Sequence, residues 1–273
     1  MKQDLQNSSG FLETHSVSKE SLIPNVSNFE LILGEIQSFS DADLKLPERL
    51  MLGKRAERYF SEWLKRSSEY ELIAENIQVI DQKQTLGEFD FIVRRKSDQQ
   101  LIHIELVYKF YVFDPTAIGS EFTRWIGPNR KDRLDYKVEK LTNHQFPLMF
   151  HEAAIKKLND LKVDTSNIEQ QVLFLANLFV PTNEEVNFDK VNESAVEGKW
   201  MNLSEWEEAF NTTIQFAIPP KINWFSKELK DANWLSKDQA REKIRSMHNL
   251  ERSALIYAKD GAGNQRRDFV VYW

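Results

Sequence analysis

The 273-residue sequence contains no cysteine. That absence excludes disulfide bonds, thiolate nucleophiles and zinc sites built from cysteine ligands. The sequence also has no apolar run long enough to cross a membrane, and its first residues lack the apolar core of a signal peptide. Walker phosphate loops, dinucleotide-binding glycine patterns and Gly-x-Ser-x-Gly elbows are missing as well. We therefore expect a cytoplasmic protein without a membrane partner, whose site uses other residue types.

The composition is otherwise that of a globular protein, with 41% hydrophobic and 29% charged residues. A net charge of −6 argues against a protein that is basic over its whole surface. The charge is uneven, however, because the segment from Arg124 to Lys140 holds six basic and three acidic residues. Such a local basic patch permits contact with nucleic acid without requiring it.

The stretch from Thr85 to Phe113 predicts two β-strands joined by a polar turn at residues 94–100. Side chains alternate with a period of two, which is typical of strands. In the second strand one face is free of charge, whereas His103, Glu105 and Lys109 lie on the other. A strand so rich in apolar residues is normally central and covered on both faces. A lone histidine in such a strand is more often a hydrogen-bonded structural residue than a ligand.

The two predicted strands each carry one acid in an apolar setting. In the first strand the alternation places Phe89 and Phe91 on one face and Asp90 on the other. If the strands form a hairpin, Asp90 and Glu105 can face the same side of the sheet. An unpaired buried carboxylate costs several kcal/mol, so two converging acids need a cation between them or must share a proton. The alternative interpretation is that an arginine or lysine neutralises each acid in a structural ion pair.

Other patterns complete an α/β order of elements around this hairpin. The pattern predicts a helix that begins at Pro47 and carries Glu57 at the edge of its apolar stripe. An ion pair between Glu57 and a neighbouring Lys54 or Arg58 is the alternative to a functional role. The pattern predicts strands at 71–81 and 171–180 and a helix at 130–145. Because a helix separates the last two strands, we expect a mixed sheet with helices on both faces.

Changes of character along the chain divide it into three predicted regions. Residues 1–46 form a polar, partly helical N-terminal extension, and residues 47–182 form the α/β core. Residues 183–273 form an accessory α+β region, to which we assign no chemistry.

The predicted elements run in the order helix with an acid, strand, strand with Gly-x-x-Asp, strand with an acid and a lysine, helix, strand. This order resembles the PD-(D/E)XK nuclease superfamily. More closely, it is similar to an uncharacterised bacterial family of unknown function that is usually placed in that superfamily. The matching segments are LGKRAERYFSEWL, TLGEFDF, HIELVYKFY and WIGPNRKDRLDYKVEKLTNHQ, and the resemblance covers residues 47–180. It implies a restriction-endonuclease-like core with a helix-strand-strand-strand-helix-strand order and a C-terminal α+β extension.

The resemblance also implies metal-dependent cleavage of phosphodiester bonds, with DNA favoured over RNA as the substrate. Asp90 and Glu105 would hold Mg²⁺, or Mn²⁺ in its place, and Glu57 would complete the metal site. Lys109 would orient or help to deprotonate the attacking water. In the same family reading Arg130, Lys131, Arg133 and Lys137 would approach the nucleic-acid backbone; a solvated helix face is the alternative for these residues.

One departure from the superfamily pattern concerns the lysine. The pattern has acid-x-Lys, but Val107 stands at that position and the lysine stands at Lys109. Four strand residues span about 13 Å, so a bulge near Val107 would be needed to bring Lys109 close to the acids. Alternatively, Lys137 from the following helix takes the place of Lys109. If neither holds, the protein is a catalytically inactive nuclease fold that serves as a nucleic-acid-binding or assembly module.

Overall fold

The computed structural model describes residues 2–31, 39, 44, 46–47 and 49–273. The α-helices are α1 (Lys2–Leu12), α2 (Leu52–Arg66), α3 (Glu121–Arg124), α4 (Leu134–Lys140), α5 (Glu152–Asp160), α6 (Leu203–Ala209) and α7 (Lys237–His248). The strands are β1 (Ser27–Asn28), β2 (Tyr70–Asp81), β3 (Gln84–Arg95), β4 (Leu101–Phe113), β5 (Trp125–Ile126), β6 (Glu169–Pro181), β7 (Val196–Met201), β8 (Gln215–Ala217), β9 (Ala254–Lys259) and β10 (Gln265–Val270). Four short helical segments, Leu141–Gln145 (π-helical), Pro147–Phe150, Glu193–Ala195 and Lys221–Asn223 (3₁₀-helical), complete the description.

The ten strands of the described residues belong to one mixed sheet, in the order β2-β3-β4-β6-β7-β10-β9-β8, with β1 beside β6 and β5 beside β4. Strands β2, β3 and β4 are antiparallel neighbours, and β4–β6, β6–β7 and β7–β10 are parallel pairs. The parallel pairing of β4 and β6 follows from the helices between them, since a crossover is needed to return the chain in the same direction. The predicted mixed α/β sheet flanked by helices is therefore confirmed.

Strand β4 is central, as predicted, and helices cover both of its faces. On one face Ile104 packs in a cluster with Tyr59, Phe60 and the other apolar residues of α2. On the opposite face Val107 packs with Leu134 of α4 and with other buried residues of that layer. The strand formed because nearly every side chain that it presents is apolar and can be buried from one side or the other.

The predicted regions on either side of the core share its sheet and its apolar contacts. In the N-terminal region, the Phe11 ring lies 5.8 Å from the Tyr59 ring, and β1 pairs with β6. In the C-terminal region, β7 to β10 extend the same sheet beyond β6. The boundaries at residues 46/47 and 182/183 stay predictions. In the described part of the chain, no helix combines the length and the apolar character that crossing a membrane requires.

The helix predicted at 130–145 begins later than expected. Helix α4 starts at Leu134, and the π-helical segment continues it to Gln145. The residues before it form a tight loop, in which Gly127 N–H donates to the Asp132 carbonyl over 2.7 Å and Arg130 has a left-handed φ of 56°. The loop is fixed from a distant part of the chain, because Asn129 Oδ1 accepts a hydrogen bond from Ser253 N–H at 2.8 Å.

Candidate functional site

Asp90 lies where strands β3 and β4 stop pairing. The β3–β4 ladder runs from Arg94 and Leu101 to Phe91 and Ile104 and ends there. Beyond that point Asp90 Oδ2 accepts a hydrogen bond from the backbone N–H of Leu106 at 2.9 Å, in place of a main-chain carbonyl. The Asp90 carboxylate therefore points along the sheet toward β4.

The alternation predicted for β3 is wrong at this point. Phe91 packs edge-on against Phe60 of α2, whereas Phe89 packs edge-on against His103 on the other side of the sheet, each with ring centroids 4.9 Å apart. Two residues that should share a face thus face opposite sides. The backbone is irregular here, since Asn76 on the neighbouring strand β2 has a left-handed φ of 54°. Such an irregularity re-aims the side chain between the two phenylalanines, which is Asp90.

Glu105 is buried on β4, with 2% of its surface exposed, and both of its oxygens are hydrogen-bonded. His103 Nε2 lies 3.0 Å from Oε1, and the Gln145 amide donates to Oε2 at 3.0 Å. The other ring nitrogen of His103 lies 3.4 Å from the amide nitrogen of Gln170, which is a donor only. His103 therefore carries its proton on Nε2 and donates it to Glu105.

Within the described structure, Asp90 and Glu105, which we call the acid pair, lack the lysine or arginine partner that usually neutralises a buried carboxylate. Across the described residues neither forms an ion pair with a lysine or an arginine. Burial first, and then the negative charge of Glu105, raise the pKa of Asp90 to about 8, although the hydrogen bond from the Leu106 N–H acts to lower it. The pair therefore favours a bound proton or a bound cation over two free negative charges. Of the two interpretations open from the sequence, this arrangement favours a shared cation or proton.

Glu57 is placed near the acid pair but is already engaged. Lys54 Nζ contacts Glu57 Oε2 at 2.7 Å, Glu88 Oε1 at 2.8 Å and Asn76 Oδ1 at 3.0 Å. Burial raises the pKa of Glu57, Lys54 lowers it, and the charges of Glu88 and Glu105 raise it. The ion pair with Lys54 is the alternative that the sequence left open. Among the residues described, no group of three or more histidine, cysteine, aspartate or glutamate side chains is arranged to hold a metal.

Two lysines lie on the side of the sheet that α4 covers. Lys109 on β4 forms an ion pair with Asp132. Lys137 on α4 interacts electrostatically with both acids: burial lowers its pKa, the neighbouring charge of Lys109 lowers it too, and Glu105 and Asp90 raise it. The structure thus brings Lys137 into the field of the acid pair and ties Lys109 to another carboxylate. The catalytic role of Lys109 stays a prediction.

The residues predicted to contact nucleic acid lie on the loop before α4 and on α4 itself. Arg130 contacts Asp114 at 2.6 Å and lies 4.1 Å from the Trp273 ring centroid. Arg133 donates to both oxygens of Asp135, at 2.5 and 2.6 Å. Lys131 is exposed, whereas Lys137 is partly buried. Two of the four, Arg130 and Arg133, already have acidic partners.

Sequence reasoning missed Gln145 and Gln170, which hold Glu105 and His103 in place. Neither glutamine stands in a recognisable motif. The one available signal lies in the backbone of Leu141–Gln145, because π-helical turns occur often at functional sites. That conformation was not predictable from the local sequence.

A protein-family model described as "Domain of unknown function (DUF1853)" matches residues 17–271. No curated protein and no solved structure matches the chain. The family match spans all of the sheet, including the acid pair and both lysines. The chain therefore belongs to the family defined by this domain of unknown function.

Proposed function

We propose that this protein is a Mg²⁺-dependent phosphodiesterase of the PD-(D/E)XK type that acts on DNA in the cytoplasm. The observation that carries the proposal is the acid pair, in which Asp90 and Glu105 lie on adjacent strands without a lysine or arginine partner in the described chain. A hard divalent cation is the group that such a pair favours, because it neutralises both carboxylates at once.

The donor set fits Mg²⁺, although it contains two acids and not three. Magnesium keeps several waters and is usually held by one or two carboxylates together with substrate phosphates. Asp90 Oδ1 has no hydrogen-bond partner in the described part of the chain, and each oxygen of Glu105 has one, which leaves lone pairs for a cation. The charge of Glu57 interacts with those of both acids, and Glu57 would contact the metal through water. When bound, the ion would neutralise charge on the phosphate and stabilise the leaving oxygen.

Lys137 is the residue that we assign to the attacking water. Because burial lowers its pKa, Lys137 gives up its proton more readily than an exposed lysine. It can then accept a proton from a water molecule held between α4 and the acid pair. Lys109, tied to Asp132, would fix the position of the loop before α4 and add positive charge beside the phosphate.

The order of elements supports the superfamily assignment. Helix α2, strands β2, β3 and β4, helix α4 and strand β6 follow one another as the resemblance requires. Strand β6 joins β4 in parallel, and the two acids lie on the two central antiparallel strands. This agreement supports a restriction-endonuclease-like core.

A nuclease fold without activity, kept as a nucleic-acid-binding or assembly module, is the second candidate. The observation that favours it is that the residues expected to orient the water and to complete the metal site already have partners. Lys109 pairs with Asp132, and Glu57 pairs with Lys54. Such a module would bind its partner without metal, and replacing either member of the acid pair would leave binding unchanged.

A cleavage assay separates the two candidates. Purified protein is incubated with plasmid DNA, linear DNA and RNA in Mg²⁺, Mn²⁺ or a chelator. The Asp90→Asn and Glu105→Gln variants are compared with Asp98→Asn, which changes an acid in the turn between β3 and β4. The nuclease proposal expects metal-dependent cleavage of DNA that both site variants lose and the control keeps. Equal cleavage by all variants would identify a contaminant, and no cleavage with intact binding would favour the inactive module.

A further inference from the structure

Helix α4 and its N-cap residue carry a basic and aromatic stripe beside the acid pair, with two exposed and two half-buried members. Arg133, Tyr136, Lys137 and Lys140 stand at positions i, i+3, i+4 and i+7, which lie on one face of a helix. We call these four residues the α4 stripe. Leu134 is buried, whereas Tyr136 and Lys140 are exposed, so these two members of the stripe are available to a partner.

Tyr136 is the distinctive member of the α4 stripe. Its surface is 57% exposed, and the Arg133 guanidinium lies 3.9 Å from the centroid of its ring. Arg133 is itself fixed by two hydrogen bonds to Asp135. The guanidinium therefore holds the ring in one orientation and covers one ring face, which leaves the ring positioned for a flat partner on its other face.

The stripe is connected to the acid pair through Lys137. That lysine follows Tyr136 directly, and its charge interacts with Glu105 and Asp90. Lys140 lies one turn further along the same face and is exposed. A polyanion whose phosphate lies between Lys137 and the acid pair would have the exposed Tyr136 ring and Lys140 beside it, and these groups complement its flat bases and its negative charge.

We propose that Tyr136 is a stacking platform for an unpaired base, so that the protein takes single-stranded nucleic acid or an unpaired end in preference to an intact duplex. Lys131 and Lys140 would contact the phosphates on either side of that base. In a duplex the faces of the bases are already stacked on one another and cannot reach a protein ring. This inference rests on the proposed function, since it names the substrate class of the same site.

The test measures binding without cleavage, in a chelator, by fluorescence anisotropy. The probes are a labelled oligothymidine, an abasic strand of the same length and a blunt duplex, each bound to the wild type, Tyr136→Ala and Tyr136→Phe. We expect Tyr136→Ala to weaken binding of the oligothymidine about 10-fold, and Tyr136→Phe to keep it, because the ring and not the hydroxyl stacks. Phe150→Ala, which removes another highly exposed ring, is the matched control and should bind as the wild type does.

Failure of this inference and failure of the proposed function give different results. If the abasic strand or the duplex binds as tightly as oligothymidine and Tyr136→Ala has no effect, the stacking platform is overturned, whatever the cleavage assay shows. If binding depends on Tyr136 but no DNA is cut in Mg²⁺, the platform is supported and the nuclease proposal fails. Metal-dependent cleavage that prefers single strands and falls in Tyr136→Ala supports both.

Discussion

The carboxylate of Asp90 accepts a hydrogen bond from the backbone N–H of Leu106 at the point where β3 and β4 separate. The Asp90 side chain thereby takes the place of a main-chain acceptor inside the sheet. The donor, Leu106, directly follows Glu105 in the sequence. This position leaves the carboxylate partly buried and close to a second acid, so its charged form is unfavourable without a cation.

Replacing Asp90 with asparagine should stabilise the metal-free protein at alkaline pH. The pKa of Asp90 is about 8 in the folded protein against an ordinary value of 3.8, so between these values the folded state holds a proton that the unfolded state has lost. The free energy of unfolding of the wild type therefore falls as the pH rises toward 8. Asparagine stays neutral and can still accept the Leu106 hydrogen bond. We expect the variant to gain about 2 kcal/mol near pH 9, less than the full shift implies, because the carboxylate is partly exposed.

Urea unfolding in a chelator, at several pH values from about 5 to about 9, measures this difference. The difference in the free energy of unfolding between Asp90→Asn and the wild type should widen steadily as the pH rises. A wild type that is as stable as Asp90→Asn at the alkaline end would contradict the raised pKa.

Divalent cations should stabilise the wild type, and more so at high pH. A ligand that binds only the folded state stabilises it by about 2.7 kcal/mol at a concentration 100 times its Kd. Protons compete with Mg²⁺ for Asp90, so the rise in melting temperature should be larger at pH 8.5 than at pH 6. Differential scanning fluorimetry with Mg²⁺ and Mn²⁺ tests this. Glu105→Gln should show no shift, whereas Asp98→Asn should behave as the wild type; a shift that survives in Glu105→Gln would place the cation elsewhere.

Replacing Lys137 should affect turnover more than replacing Lys109. Proton transfer by a positioned side chain typically contributes about 10²–10⁴-fold, so Lys137→Met should lower kcat by about 100-fold or more. Lys109→Met should have a smaller effect, because that lysine is engaged by Asp132. Single-turnover cleavage with both variants gives the comparison. The reverse order would return the role to Lys109, as the resemblance implies.

His103 should act on metal affinity through Glu105. Groups that orient a ligating carboxylate typically contribute about 10–100-fold to affinity, and His103 donates directly to Glu105 Oε1. We expect His103→Phe to weaken Mn²⁺ binding by about this factor in calorimetry. Gln170→Leu should act in the same direction but less, because it removes only the group that sets the histidine tautomer. Gln78→Leu, at an exposed site on β2, should leave Mn²⁺ affinity unchanged; an equal loss there would mean a general effect on folding.

Arg267 should be a major determinant of stability far from the acid pair. Its buried guanidinium bonds Glu197 Oε2 at 2.5 Å, Asn177 Oδ1 at 3.0 Å and the carbonyls of Trp224 and Ser226. Breaking a buried ion pair from one side usually destabilises a protein by about 3–5 kcal/mol. We expect Arg267→Met to lose about 3 kcal/mol in urea unfolding, since Lys227 remains beside Glu197.

Arg245→Met is the control for this change, because Arg245 makes an exposed ion pair with Glu207. Such pairs contribute about 0–1 kcal/mol. Equal losses in the two variants would show that burial adds nothing to the Arg267 network.

The sequence alone determined the central strand, the mixed sheet and the face on which Glu105 stands. These are local properties: the near-absence of polar residues from Leu101 to Phe113 requires burial on both sides, and alternation then fixes which side chains share a face. The pairing of two acids without an arginine or lysine was one of two interpretations that the sequence left open.

Only the tertiary structure decided how the site is assembled. The late start of α4 depends on Asn129 and Ser253, which are far apart in the sequence. The turn of Asp90 into the plane of the sheet depends on the irregular backbone of Asn76 on the neighbouring strand β2. The engagement of Lys109 depends on Asp132, a neighbour in the loop before α4 that no strand pattern predicts. Each of these features is set by contacts between distant segments, whereas the pattern of a single strand or helix reports only on its own burial.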